Sequence, residues 1–120
     1  MDDDLGPVGV LEEADTHLSV DELLRLLSVP ATRLTIIYLY DHPDTTADQL
    51  AAIIAANDAV SEASMATESE YDRARTHLYH STLPRLEDHG FLEFDPKAGT
   101  VAKRNVPEPI YTFLGVDTDE

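Results

Sequence analysis

Between Ser19 and Leu86 the apolar residues recur at three- and four-residue intervals, the spacing of one face of a helix, and the recurrence is interrupted at definable points. Ser19-Val20-Asp21-Glu22 has the form of a capping box. Leu23, Leu24, Leu26 and Leu27 follow it, so a short amphipathic helix is expected to run up to Pro30. Proline suits a first helical turn, and a second helix is expected from Pro30 through Leu34, Ile36, Ile37, Leu39 and Tyr40 until His42-Pro43-Asp44 stops it. Thr46-Ala47-Asp48-Gln49 offers another capping box, with Leu50, Ile53 and Ile54 behind it and an end near Asn57. Residues 57–68 are small and polar, and read equally as a loop or as a frayed extension of that helix.

A longer helix is expected from about Ser69. Tyr71, Ala74, Leu78 and Leu86 fall on one side of it, Tyr79 and Leu83 at the edge, and Arg73, His77, His80 and Pro84 opposite. Pro84 lacks a donor and crowds the preceding turn, which predicts a kink between His80 and Leu83. His89-Gly90 closes the helix. Phe91 to Phe94 then reads as a strand, residues 95–99 as its turn, and Thr100 to Arg104 as the returning strand of a hairpin. Pro107 and Pro109 bracket a piece expected to be extended, and Ile110, Tyr111, Phe113 and Leu114 form an apolar patch. The division expected is an acidic flexible arm (1–17), one domain (18–105) and a C-terminal extension carrying the patch (106–120). So short a chain has little core to spare, so the patch is expected to be a homodimer interface.

The order of four helices followed by a hairpin is that of a winged helix-turn-helix, a mainly α fold with a small β-hairpin. The residues from Leu78 to Gly90 carry an L-x-H-x-x-L-P-x-L-x-x-x-G run: Leu78, His80, Leu83, Pro84, Leu86 and Gly90. This run resembles the segment joining recognition helix to wing in haloarchaeal winged-helix domains, a family similar to the arsenic-repressor type of regulator, and the likeness extends loosely over residues 19–104. It implies a winged helix with a role in transcriptional regulation, Arg73 and His80 falling on the family's basic and histidine positions. The sequence departs from the family at Thr82, where relatives often have a second histidine, at Arg75, where an apolar residue is usual, and at Arg33, which stands alone where relatives carry several arginines.

Charge bears on that expectation. The 120 residues hold 24 Asp plus Glu against 8 Lys plus Arg, a formal net charge of −16. From Glu68 to Arg104 there are seven acids and six bases, a net of −1, so the remaining residues carry −15. So acidic a coat with so few lysines is what proteins in molar salt commonly present, and a halophilic source is expected. The near-neutral stretch coincides with the expected reading surface. Arg73, Thr76, His77 and His80 supply donors and short polar groups for base edges in double-stranded DNA, and Lys97, Lys103 and Arg104 suit phosphate contact. Arg75 points by the wheel toward the apolar side and is expected to snorkel or to pair with a carboxylate. The rival reading of the same surface is a protein-interaction or dimerisation module that does not bind DNA, for instance one docking to the transcription machinery.

Other chemistries find little purchase. Cysteine is absent, which removes disulfides, thiolate metal sites and cysteine nucleophiles. His77 and His80 lie within reach of one metal only if a group such as Glu70 joins them, and solvent-facing histidines are the commoner outcome. No phosphate-cradling glycine loop, nucleophile or convergent carboxylate pair can be assembled, so neither catalysis nor a cofactor is expected. Met1 is followed by three aspartates rather than by a positive leader, and no apolar run is long enough to span a bilayer; a cytoplasmic location is expected.

Overall fold

A computed structural model describes Gly9, Leu11, Glu12 and residues 17–61 and 67–116, with side chains for all of these except 58–61. The chain runs α1 (Val20–Leu26), α2 (Pro30–Asp41), β1 (Asp44–Thr46), α3 (Ala47–Ser61) and α4 (Glu68–His77), then a π-helical turn (Leu78–Thr82), α5 (Leu83–Asp88), β2 (Leu92–Asp95), β3 (Thr100–Lys103) and α6 (Glu108–Phe113). It is mainly helical with a small antiparallel sheet of order β1-β3-β2.

Local chemistry sets most of these boundaries. Both arms of the Ser19 capping box form: Ser19 Oγ accepts from the Glu22 N–H at 3.1 Å, and Glu22 Oε1 accepts from the Ser19 N–H at 2.8 Å. That hydrogen bond holds the Glu22 carboxyl below its usual pKa. Thr67 and Glu70 build the same box at the start of α4, with the same two distances. At Thr46 one arm is seen, its Oγ1 accepting from the Gln49 N–H at 3.1 Å. The hairpin turn is an Asx turn: Asp95 Oδ1 accepts from the N–H groups of Lys97 and Ala98, and Gly99 supplies a φ of 75°.

Three features differ from the sequence expectation. Asp44–Thr46 forms a strand instead of merely ending α2, pairing Thr45 with Val101 and Thr46 with Thr100. Past the expected end near Asn57, α3 continues to Ser61, which is the helical-extension alternative for residues 57–61, while residues 62–66 lie outside those described. The piece from Pro107 is helical rather than extended, because Pro109 occupies the first turn of α6, where a missing N–H costs nothing.

The expected kink near Pro84 takes the form of the π-helical turn. The Leu83 N–H bonds the Leu78 carbonyl, five residues back, just before the proline whose ring would crowd an α-helical carbonyl at His80. The extra residue in that turn shifts the helical phase. Leu83, expected at the edge, is fully buried, and so is Thr82.

The core draws on every described helix except α4: Leu23 and Leu26 from α1, Ile36 and Leu39 from α2, Leu50 and Ile54 from α3, then Leu78, Leu83 and Leu86. Phe91, Leu92, Phe94 and Val101 close it from the sheet side. Two surroundings join it. Leu11, from the expected flexible arm, is buried in this core. Ile110 and Tyr111 are buried in it as well, with Phe113 and Leu114 packed against its edge. The dimer interface expected at Ile110, Tyr111, Phe113 and Leu114 therefore loses its premise, since the chain's own core absorbs the first two fully and the others in part. Tyr111 packs edge-on against Tyr40 with centroids 4.8 Å apart, and its hydroxyl has no hydrogen-bond partner among the described residues. Burial pushes its pKa up to about 12, helped by Tyr40.

No single helix among the described residues is long and apolar enough to cross a membrane. Together α1 and α2 have the length and composition, but they bend by 94° at the break between them and give their leucines and isoleucines to the core.

Candidate nucleic-acid interface

The α4 helix packs on α3, where Ala51 and Ala55 are buried and keep the two helices close. Its own inward residues, Tyr71, Ala74 and Arg75, are only half-buried. Arg75 behaves as the wheel indicates, pairing through Nε with Asp48 Oδ1 on α3 at 2.6 Å. Its guanidinium also lies over the Tyr79 ring, 4.6 Å from the centroid. The bond to Asp48 raises the Arg75 pKa, and the Tyr71 hydroxyl beside it is raised by burial and then by the Asp48 charge.

Tyr79 also fixes the hairpin. Its ring meets Phe94 edge-on at 5.1 Å, and its hydroxyl would lie 3.3 Å from a Cβ at residue 99, so glycine suits that position for space as well as for its backbone angle. The turn between β2 and β3 is thereby held beside the C-terminal half of the long helix.

On the other side of α4 lies a groove of about 320 Å³. Glu70, Arg73 and His77 rim it, and Ala74, Ile54 of α3 and Val29 and Ala31 at the start of α2 form its apolar floor. The carboxylate of Glu70 is engaged in capping α4. Among the described residues, the Arg73 guanidinium has neither a hydrogen bond nor an ion pair.

The proposed contact residues separate into two sets. Arg73, Thr76 and His80 are exposed along α4 and the π turn, and Lys97 is exposed at the hairpin tip. His77 is exposed too, but its Nδ1 lies 3.3 Å from Thr82 Oγ1, which ties it to the helix. Lys103 and Arg104 are turned to other work. Lys103 is half-buried, its ammonium 5.8 Å and 5.9 Å from the centroids of Tyr40 and Tyr111, and Arg104 pairs with Glu93 across the sheet edge. No group of three His, Asp or Glu side chains among the described residues is placed to hold a metal ion. The groove is not among the sequence expectations, because its lining comes from residues 29–31, 54 and 70–77, which no single helical wheel brings together.

A family model matches residues 24–102, which run from within α1 into β3 and contain α3, α4, the π turn and the hairpin turn of this surface. The chain belongs to the family described as Domain of unknown function (DUF7344). The DUF7344 match stops within β3, leaving α6 outside. No curated protein and no solved structure gave a match.

Proposed function

We propose that the chain is a winged-helix DNA-binding transcriptional regulator, with the exposed face of α4 and the π turn directed to the major groove and the β2–β3 turn to the backbone. The observation that supports this most is the placement of the hairpin: β1 pairs with β3 ahead of α3, and Tyr79 seats the hairpin turn against the long helix. A helix and a loop then stand side by side, able to meet a groove and its flanking phosphates together. Arg73 is free to fork onto a guanine edge, Thr76 and His80 to bond to neighbouring base edges, and Lys97 to contact phosphate. Glu68, Glu70 and Asp72 crowd the first turns of α4 with acid, which directs the contact to the helix's C-terminal half.

The acidic coat fits a cytoplasmic protein of a halophile, in which salt screens repulsion between the acids and so favours the compact state. Two-fold pairing would set two such faces on half-sites one helical turn apart. The rival reading, a protein-interaction module, is favoured by one observation: the groove beside Arg73 has an apolar floor.

Fluorescence anisotropy with duplex genomic fragments tests the proposal, run from about 0.05 M to about 3 M potassium chloride with helical circular dichroism followed alongside. Arg73→Ala is expected to cost about 1–3 kcal/mol at the preferred sequence, and Lys97→Ala to weaken all sequences alike. Equal binding by the wild type and both variants, at salt where the fold is complete, would transfer the groove to the protein-interaction reading.

A further inference from the structure

A second pocket, of about 220 Å³, lies between the last turn of α1 and the end of α5. Arg25, Arg85 and His89 line it with Glu22, against an apolar wall of Leu18 and Leu26. The His17 ring stands 5.5 Å from that of His89. We propose that this pocket is a binding site for a small oxyanion of the phosphate type, held by the guanidinium forks of Arg25 and Arg85 and by the His89 ring.

The chain's arginines divide by what their guanidinium groups touch. Arg33 donates to the Leu27 carbonyl, Arg75 to Asp48 and Arg104 to Glu93. Among the described residues, Arg25, Arg73 and Arg85 have no such partner, and two of these three face this one pocket. Partners are not scarce. Asp21 lies four residues before Arg25 and Asp88 three after Arg85, both at helical pairing distance, yet neither closes an ion pair. A cation near a helix C-terminus is favoured by the helix dipole, which accounts for one exposed arginine on α1 and one on α5 but not for both lining the same pocket.

In Glu22, the acid that lines the pocket, Oε1 accepts the Ser19 N–H in the capping box, and the charges of His17 and Arg25 act on the same carboxylate without closing an ion pair. The pKa of His89 is lowered first by burial, then by the charge of His17 and that of Arg85, with Asp88 and Glu22 acting in the opposite sense. Paired guanidinium forks match the geometry of a tetrahedral oxyanion. The volume falls below the range of about 300–1,000 Å³ usual for drug-sized ligands and suits inorganic phosphate or the phosphate of a small phosphomonoester. Because α1 and α5 each form one wall, an anion there would bridge the start of the domain to the end of its long helix.

Isothermal titration calorimetry of the full chain tests this, at the lowest potassium chloride at which the helical circular dichroism is complete. Inorganic phosphate and methyl phosphate are the probes. One saturable site is expected, weakened about tenfold or more by Arg25→Gln and by Arg85→Gln and unchanged by Arg73→Gln in the other groove. Phosphate binding with no binding of methyl phosphate would identify free phosphate as the ligand; binding of both would admit a monoester. Arg85→Lys, which keeps the charge and loses the fork, is expected to weaken binding less than Arg85→Gln, and the thermal midpoint of each variant without phosphate reports its folding. The absence of a saturable site, equal loss in Arg73→Gln, or displacement of phosphate by duplex DNA would overturn the proposal.

Discussion

The helix α4 and the segment that continues from Leu78 form one unbroken helical run, yet the two halves do opposite things. In α4 no residue is fully buried; it rests on α3 through Tyr71, Ala74 and the Arg75–Asp48 pair, and offers Arg73, Thr76 and His77 to solvent. From Leu78 onward Leu78, Thr82, Leu83 and Leu86 are all buried among the sheet and the other helices. The π turn lies at the changeover, beginning at the first fully buried position. One half anchors the run, and the other is released from packing duty. Residues that stabilise nothing are free to be chosen for what they bind.

The contrast breaks most visibly at its buried end. Leu83→Ala removes a fully buried side chain and is expected to cost about 2–5 kcal/mol, whereas Arg73→Ala is expected to stay within about 0.5 kcal/mol of wild type. Urea unfolding followed by helical circular dichroism measures both. A comparable loss in the two variants would mean that α4 carries packing that its exposure does not reveal.

A smaller effect is expected at the start of α4. Thr67→Ala removes the side chain that caps the Glu70 N–H, at a cost of about 0.5–2 kcal/mol. Because α4 has no buried anchor, the loss should appear as faster amide hydrogen exchange in residues 68–77, with the core amides of α5 and β3 keeping their protection. Uniform loss of protection across both would show that the two halves unfold as one unit.

The same contrast separates what could be read from the sequence from what could not. The Ser19 box, the Asp95 turn and the glycine-closed end of the long helix were legible because each is decided by residues within four positions of one another. The T-x-x-E spacing of Thr67 and Glu70 is just as local, and it starts α4 at Glu68, one residue ahead of the expected Ser69. Strand β1 was not legible: Asp44-Thr45-Thr46 is polar and three residues long, and its pairing is supplied by Val101, more than fifty positions away. The burial of Leu83 and Thr82 was hidden by the phase shift of the π turn, which a regular wheel cannot carry. At the candidate site, the exposure of Arg73, Thr76 and His80 and the pairing of Arg75 followed from helical periodicity. The diversion of Lys103 onto Tyr40 and Tyr111 did not, since α6 is what brings Tyr111 there.

Tyr111 sharpens the comparison from inside the well-packed region, and there the smallest effect is expected. Its ring is nearly fully buried while its hydroxyl has no partner among the described residues, so packing prevailed there over hydrogen bonding. Tyr111→Phe keeps the ring and removes the unpartnered group, and at neutral pH should leave stability within about 1 kcal/mol of wild type, on the stabilising side. The pH dependence gives a second reading. Burial raises the folded pKa from 10 to about 12, so the folded state resists an ionisation that the unfolded chain undergoes freely. The stability this group contributes is complete below pH 10 and is lost as pH rises from there through about 12. Tyr71, whose pKa is also raised, titrates in both proteins, so the wild type minus Tyr111→Phe difference isolates the buried group. Urea midpoints for the pair are expected to run parallel through neutral pH and to diverge above pH 10, the wild type falling faster. Parallel curves throughout would mean that water reaches the hydroxyl, and that the apolar region is less closed around α6 than around α5.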